Sequence, residues 1–445
     1  MSKKFLRYLY RHQATQLIAL GCIAALLVSV APSCSYGPTV LHNPQVATEE
    51  NQLKIRVAIV RGRNIKILSP SMFRIYDVRG DLPAIEDTPY TITRKSTITA
   101  TPGGIKIGGK LVPLNACRIV PQTRRPIAVY EVEERWYYGD LCLYKNDDGT
   151  IDVVSEVGLE DYLAGVLGRE VSASWPAEAL KAQAVASRTR VLYQREVARR
   201  HNRRFDVQSD IRDQVYGGVP ASAEARKLSD AVRATAGQVL TYNGLIFKNY
   251  FSSTCGGMTE DAMRVFDEDP GHHPPGGVAC PYCKSSPVYT WKHRVPKAEV
   301  EKRIRQHTTD DVGEIISIRT LHPDAVGHGD EVEVKHTKGT TIFPDANKFR
   351  TTVLGRGDVK FWKGGRWHAA AEHDIHREFI MSTAFTARVL DDTVEFSGRG
   401  WGHAVGMCQY GARGMAEAGR NYRAILLHYY PGAKIAQNYH LQPQT

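Results

Sequence analysis

Hydrophobic and polar positions alternate along the first third of the chain. Lys54-Ile55-Arg56-Val57-Ala58-Ile59-Val60 reads as a strand with one apolar face. Alternation returns at Tyr90–Arg94, Gly104–Gly108, Ala128–Val132 and Leu141–Tyr144, punctuated by Gly and Pro. A turn at Asn146-Asp147-Asp148-Gly149 leads into a further strand, Ile151–Val154. The period then changes: Leu159, Tyr162, Leu163, Val166 and Leu167 recur at helical spacing. Pro176 suits the first turn of a second helix, because its missing N–H costs nothing there. That helix carries Leu180, Ala184, Val185, Val191 and Leu192 as an apolar arc, and its many alanines allow close packing. Helical pattern extends to Arg200, strands return over Gln238–Phe251, and a loop rich in Gly, Pro, His and Cys fills Asp267–Ser286. Mixed pattern follows to about Ala387, and the chain closes with a Gly-rich loop and a helix.

This order predicts an α+β chain. A small β-rich N-terminal module, residues 53–124, precedes a mixed α/β domain over residues 125–435, with an insertion at about 355–378 and a tail at 436–445. No internal repeat is visible.

The first 52 residues have a different character. Lys3, Lys4, Arg7 and Arg11 form a positive start, and Leu17 to Ala31 is almost wholly apolar before Pro32-Ser33-Cys34-Ser35. Positive, apolar, small is the order of a secretory signal. The apolar run is short for a spanning helix, which needs about 20 residues. Residues 1–34 are therefore expected to be a cleaved signal, a lipoprotein signal with Cys34 as the lipid-modified residue, or a signal-anchor. Residues 35–52 read as a polar tether. The protein is expected to work outside the cytoplasmic membrane, in the periplasm or cell envelope, where disulfides are permitted.

With 58 Lys+Arg against 47 Asp+Glu, the formal charge is +11, which favours an anionic partner. Nucleic acid, anionic lipid and an anionic wall polymer all qualify by charge. The chain has no basic recognition helix, zinc-finger spacing or RNA-binding aromatic signature, so nucleic acid is not expected as a partner.

Two charged groups sit where apolar ones are expected. Glu170 lies eleven residues beyond Leu159, about three helical turns, and so falls on the same apolar stripe. Burial of a carboxylate raises its pKa and keeps a proton available near neutrality, as a general acid requires. The alternative is a helix that frays before Glu170 and leaves it in water. Arg188 projects from the apolar arc of the next helix and needs a carboxylate, a carbonyl or a ligand. It could share a polar pocket with Glu170 or form a purely structural ion pair. Near the C-terminus, Gly398 to Gly414 holds six glycines interleaved with Trp401, His403, Gln409 and Tyr410. Glycine allows positive φ and close backbone approach, so this reads as a ligand-facing loop, with a turn packed under a sheet as the alternative.

These segments together resemble the stage II sporulation protein D and amidase-enhancer family. The resemblance rests on Gly158–Val166, Arg169-Glu170-Val171 and Trp175–Thr189, on Tyr250–Glu260, and on the Gly398–Gly414 loop with Tyr429-Tyr430-Pro431-Gly432. It covers about residues 125–435, with the motifs in order. It implies an exported lytic transglycosylase that cleaves the bond between N-acetylmuramic acid and N-acetylglucosamine in glycan strands stripped of stem peptides. Glu170 would be the single acid/base. It would protonate the bridging oxygen, then accept the muramyl 6-hydroxyl proton as a 1,6-anhydro ring closes. A hydrolytic glycosidase would need a second carboxylate, and none is evident near Glu170 in sequence; Glu160 and Asp161 look like first-turn acids suited to the helix dipole. Arg188, Gln183, Ser253, His403, Gln409 and Tyr410 are the expected substrate contacts. The partners implied are peptidoglycan glycan strands and the membrane, through the N-terminal segment. The other role known in the family is a non-catalytic glycan binder that enhances a cell-wall amidase, which would then be a partner.

No cofactor is required by this chemistry. Some relatives carry a His and Cys zinc site after the arginine helix, but here Val207–Tyr216 contains neither residue type. Instead Cys255 and Cys408 stand where the family often has Ser, and Cys280-Pro281-Tyr282-Cys283 adds two more. These four could surround a structural zinc or form disulfides, and Cys117 and Cys142 could bridge within the β module.

Overall fold

The computed structural model describes residues 53–78, 90–123, 125–130, 134–210, 213–219, 225–269, 271–357, 360–363, 366–369 and 378–437. The expected export signal and tether, residues 1–52, lie outside these. Among the described residues no helix is long and apolar enough to cross a membrane.

The α+β expectation holds. An eleven-stranded sheet runs from Lys54 through Gly158 and takes in a short strand, Val207–Gln208. It continues past residue 124 through Ile127–Tyr130, Asp140–Lys145 and Ile151–Gly158, where the alternation also places strands. Its first strand, Lys54–Gly62, pairs antiparallel with Ile151–Gly158, from Lys54 opposite Gly158 to Gly62 opposite Ile151. The latter strand leads directly into the helix Leu159–Glu170, whose first N–H donates to Leu53 O at 2.8 Å. Sheet residues Ile55, Val57, Leu141 and Val153 share one core with Leu163, Val166, Leu167 and Leu180. Each such side chain contributes roughly 1.5–3 kcal/mol by leaving water. The start and direction of the Glu170 helix are thus set by sheet register.

The long helix Ala177–Arg200 packs against it. Ala182, Ala184 and Ala186 are fully buried, as the alanine-rich pattern predicts. The other face of the long helix meets a second core containing Cys255, Cys280, Cys283, Cys408, Tyr429 and Tyr430.

A second sheet, of eight strands, is antiparallel throughout and lies between Thr290 and Arg399 in the chain. It has its own core, around Val332, Phe349, Phe379 and Phe396. The expected insertion at about 355–378 contributes the hairpin Lys360–Lys363 and Arg366–Ala369 to one edge of it. The chain leaves for this sheet and returns at one place: Gly400 N donates to Tyr289 O at 3.0 Å, and Trp401 and Thr254 exchange backbone bonds of 2.8 and 3.1 Å. Beyond it, Met407–Cys408 pairs in parallel with Phe251–Ser252. The helices Gln409–Glu417 and Tyr422–Tyr429 then close the fold.

The bridge expected between Cys117 and Cys142 does not form. Cys117 pairs with Leu143 and Arg118 with Cys142, so the two thiols project to opposite faces of the sheet, and both are free.

Candidate active site

The Glu170 helix does not fray. It runs to Glu170 itself, and Val171 N still donates to Leu167 O at 3.0 Å. The Glu170 carboxyl opens onto a cleft of about 570 Å³. Val215 N donates to Oε1 and Gln409 Nε2 donates to Oε2, each at 3.4 Å. Burial lifts the Glu170 pKa above the ordinary carboxylate range; the two long hydrogen bonds pull it down without reversing the shift. The carbonyl end of its own helix also disfavours negative charge there. A carboxyl whose charged form is disfavoured beside a cleft is suited to donate a proton.

Gln409 is the first residue of the helix that follows the Gly-rich loop. Its amide lies between two acceptors, Glu170 Oε2 and Gln183 Oε1, both at 3.4 Å. Gln183 Nε2 donates in turn to Ser187 Oγ at 3.2 Å. Gln183 is almost fully buried, so it supports Gln409 from behind and does not face a ligand. The loop can bring Gln409 here because Gly406 has φ 73°, and a Cβ on it would lie 2.0 Å from Tyr250 O. Only glycine fits that approach.

His403 also lines the cleft. Its Nδ1 accepts from Val405 N at 3.0 Å, leaving the proton on Nε2. Phe266 and Tyr250 stand edge-on to the ring at 5.1 and 5.7 Å. Burial, with the nearby Arg350 and Arg190 charges, holds its pKa down to about 3. It is a neutral hydrogen-bond donor at working pH and does not compete with Glu170 as an acid.

Arg188 is not a cleft residue. It is completely buried and forms a two-point ion pair with Glu160, with Nη2–Oε2 at 2.6 Å and Nε–Oε1 at 3.1 Å. Its remaining N–H groups donate to Val232 O and Gln238 O, each at 3.2 Å. The structural ion pair therefore replaces the shared pocket with Glu170, and Glu160 is a counter-ion rather than only a first-turn acid. Two residues on, helical geometry turns the side chain about 200°, and Arg190 of the same helix lines the cleft. Ser253 and Tyr410 also lie off the lining. Tyr410 N donates to Ser253 O at 3.0 Å, and the Tyr410 ring packs against Trp175 at 5.0 Å.

Sequence reasoning missed several cleft residues. Arg190, Lys248 and Arg350 give it a cationic wall, and Tyr250 and Phe266, stacked at 4.5 Å, give it an aromatic one. Asp213 is a second carboxylate in the lining, with Oδ1 taken by Gln194 and Oδ2 by Gln208 N, both at 2.8 Å. It comes from Val207–Tyr216, where no His or Cys is present. A second cavity, about 540 Å³ beside Trp291, Lys292 and Arg399, is lined by no carboxylate.

The cysteines form a separate cluster beside this site. Cys255, Cys280, Cys283 and Cys408 are all free and completely buried, and their Sγ atoms lie within 4.8 Å of one another.

Comparison with known proteins agrees with this architecture. A family profile described as stage II sporulation protein matches residues 147–242, which contain the Glu170 helix, the long helix and Asp213. An uncharacterized protein of Brachyspira hyodysenteriae is 34% identical over 300 residues, 67% of this chain and 72% of its own length. Stage II sporulation protein D of Bacillus subtilis is 30% identical over 298 residues, 64% of this chain and 76% of its own. An amidase enhancer of Bacillus subtilis is 27% identical over 314 residues, which is 61% of this chain but 40% of that protein. On the strength of these matches, the chain belongs to the stage II sporulation protein D family.

Proposed function

We propose that the protein is an exported lytic transglycosylase of peptidoglycan, acting on the bond between N-acetylmuramic acid and N-acetylglucosamine. The observation that carries this reading is Glu170, a carboxyl of raised pKa beside an open cleft, oriented by Gln409. Its protonated form serves as general acid to the bridging oxygen. Its carboxylate then takes the 6-hydroxyl proton as the 1,6-anhydro ring closes, so one group serves both steps. Aromatic faces suit sugar rings, and the Arg190, Lys248 and Arg350 wall suits the lactyl carboxylates exposed on denuded strands. Residues 1–34 take the protein across the membrane and leave it free, lipid-modified at Cys34 or anchored, so that it works at the cell envelope.

Mass spectrometry of digests of denuded and intact peptidoglycan tests the reading. Fragments ending in 1,6-anhydro-N-acetylmuramic acid support it. Reducing ends would instead assign Asp213 as a water-activating base. Absence of cleavage, with stimulation of a cell-wall amidase in a coupled assay, would favour the enhancer role named for the amidase-enhancer relative.

Gln409→Ala is expected to lower kcat by about 10–100-fold, the scale of a misplaced reacting group, with KM little changed. Steady-state kinetics on denuded strands check this; an effect confined to KM would make Gln409 a substrate contact instead.

A further inference from the structure

We propose that Cys255, Cys280, Cys283 and Cys408 hold one zinc ion as a closed tetrathiolate centre. The centre ties the two ends of the eight-stranded excursion together beside Gln409.

The geometry is that of a metal site and not of two disulfides. A tetrahedron with Zn–S bonds of about 2.3 Å has an S–S edge of about 3.8 Å. The Cys255 and Cys283 sulfurs are 3.8 Å apart, and no pair among the four exceeds 4.8 Å. A disulfide would need about 2.05 Å, and none of the four is bridged. The donor set is all sulfur, which selects zinc and other thiophilic ions over magnesium or calcium. Four protein ligands, all completely buried, leave no position for water, so the centre is structural.

The surroundings are built for it. Cys280 and Cys283 have the Cys-x-x-Cys spacing, and a 3-10 turn begins at Cys283. Cys255 N and Gly411 N both donate to Cys408 Sγ at 3.3 Å, and such bonds stabilise charge on a ligating sulfur. Gly411 admits the cluster through its lack of a side chain, since a Cβ there would lie 2.5 Å from Cys280 Sγ.

The four ligands come from both sides of the excursion. Cys255, Cys280 and Cys283 precede Thr290, whereas Cys408 follows Arg399 and is the N-cap of the helix that begins with Gln409. One ion therefore fixes the segment that presents Gln409 to Glu170. The metal site itself stands independently of the glycan chemistry, and its test reads metal rather than cleavage.

The full-length protein, purified without chelator, is expected to contain about one zinc per chain by elemental analysis. A mercurial thiol reagent should release that zinc as four thiols react. Cobalt exchange should give the charge-transfer and tetrahedral d–d bands of a cobalt tetrathiolate. Cys283→Ser is expected to lower bound zinc at least tenfold, while the Cys117→Ser/Cys142→Ser double variant keeps its metal. If Cys283→Ser does not fold, mercurial release and cobalt spectra of the wild type still decide. Disulfides among the four, iron in place of zinc, or zinc retained in both Cys283→Ser and Cys408→Ser would each overturn the proposal.

Discussion

Glu170→Gln is expected to abolish release of 1,6-anhydro-ended fragments, with kcat falling about 10³-fold or more, within the range for loss of a general acid that also acts as base. Glutamine keeps the volume and its carbonyl can still accept from Val215 N, but its amide NH2 cannot accept from Gln409 and it has no acidic proton to give the bridging oxygen. The wild-type pH profile should carry the same signature. The proposed first step uses protonated Glu170, so kcat/KM should fall as pH rises through its elevated pKa. The sign for stability runs in parallel. The folded pKa lies above the unfolded one, so the stability associated with this group is complete below the unfolded pKa and is lost as pH rises through the folded value. Glutamine removes that loss. Above neutrality, the inactive variant should therefore melt at or slightly above the wild-type temperature, by about 2 °C given the partial exposure of the group. Calorimetry and product analysis on the same preparation check both halves. Wild-type product from Glu170→Gln would remove Glu170 from the chemistry.

Arg188→Met is expected to do the reverse, costing stability while sparing catalysis. Removing one partner of a buried ion pair costs about 3–5 kcal/mol. The low end applies here, because Glu160 is 35% exposed and water partly replaces the lost charge. The variant also removes the bond that Arg188 donates to Gln238 O, whereas Val232 O keeps its bonds from Thr235. Glu160→Gln should destabilise as well, since it leaves Arg188 buried without its counter-charge. The double variant Glu160→Gln/Arg188→Met should cost less than the sum of the two singles. Urea denaturation reads these differences. At a temperature where the Met variant remains folded, its KM for denuded strands should match the wild type. A selective rise in KM without loss of stability would restore Arg188 to the substrate.

The sequence made one half of the site legible and hid the other. Glu170 could be found because a charge on an apolar helical stripe is conspicuous, and Gln409 because it stands among glycines that announce an unusual backbone. Arg188 was equally conspicuous, but for a different reason: its partner is Glu160, in the first turn of the preceding helix, and spacing alone does not tell a counter-ion from a ligand. Arg190 was less visible, because an arginine off the apolar arc looks solvated until the cleft is known. Arg350 reaches the cleft from the helical turn Phe349–Leu354, 180 positions beyond Glu170, so no local pattern could place it there. In the fold, alternation located most strands of the first sheet. It could not show that the sheet takes in Val207–Gln208, because that pairing is long-range.

The pinch that joins Tyr289 to Gly400 has an evolutionary consequence. A segment that departs and returns at one point can be lengthened, shortened or exchanged without moving its neighbours. That segment carries Asn347, Arg350 and Thr351 to the rim of the cleft, whereas Glu170, Gln183 and Gln409 belong to the body. Recognition can therefore be rewritten in one part of the gene while the proton-transfer apparatus is inherited intact from another.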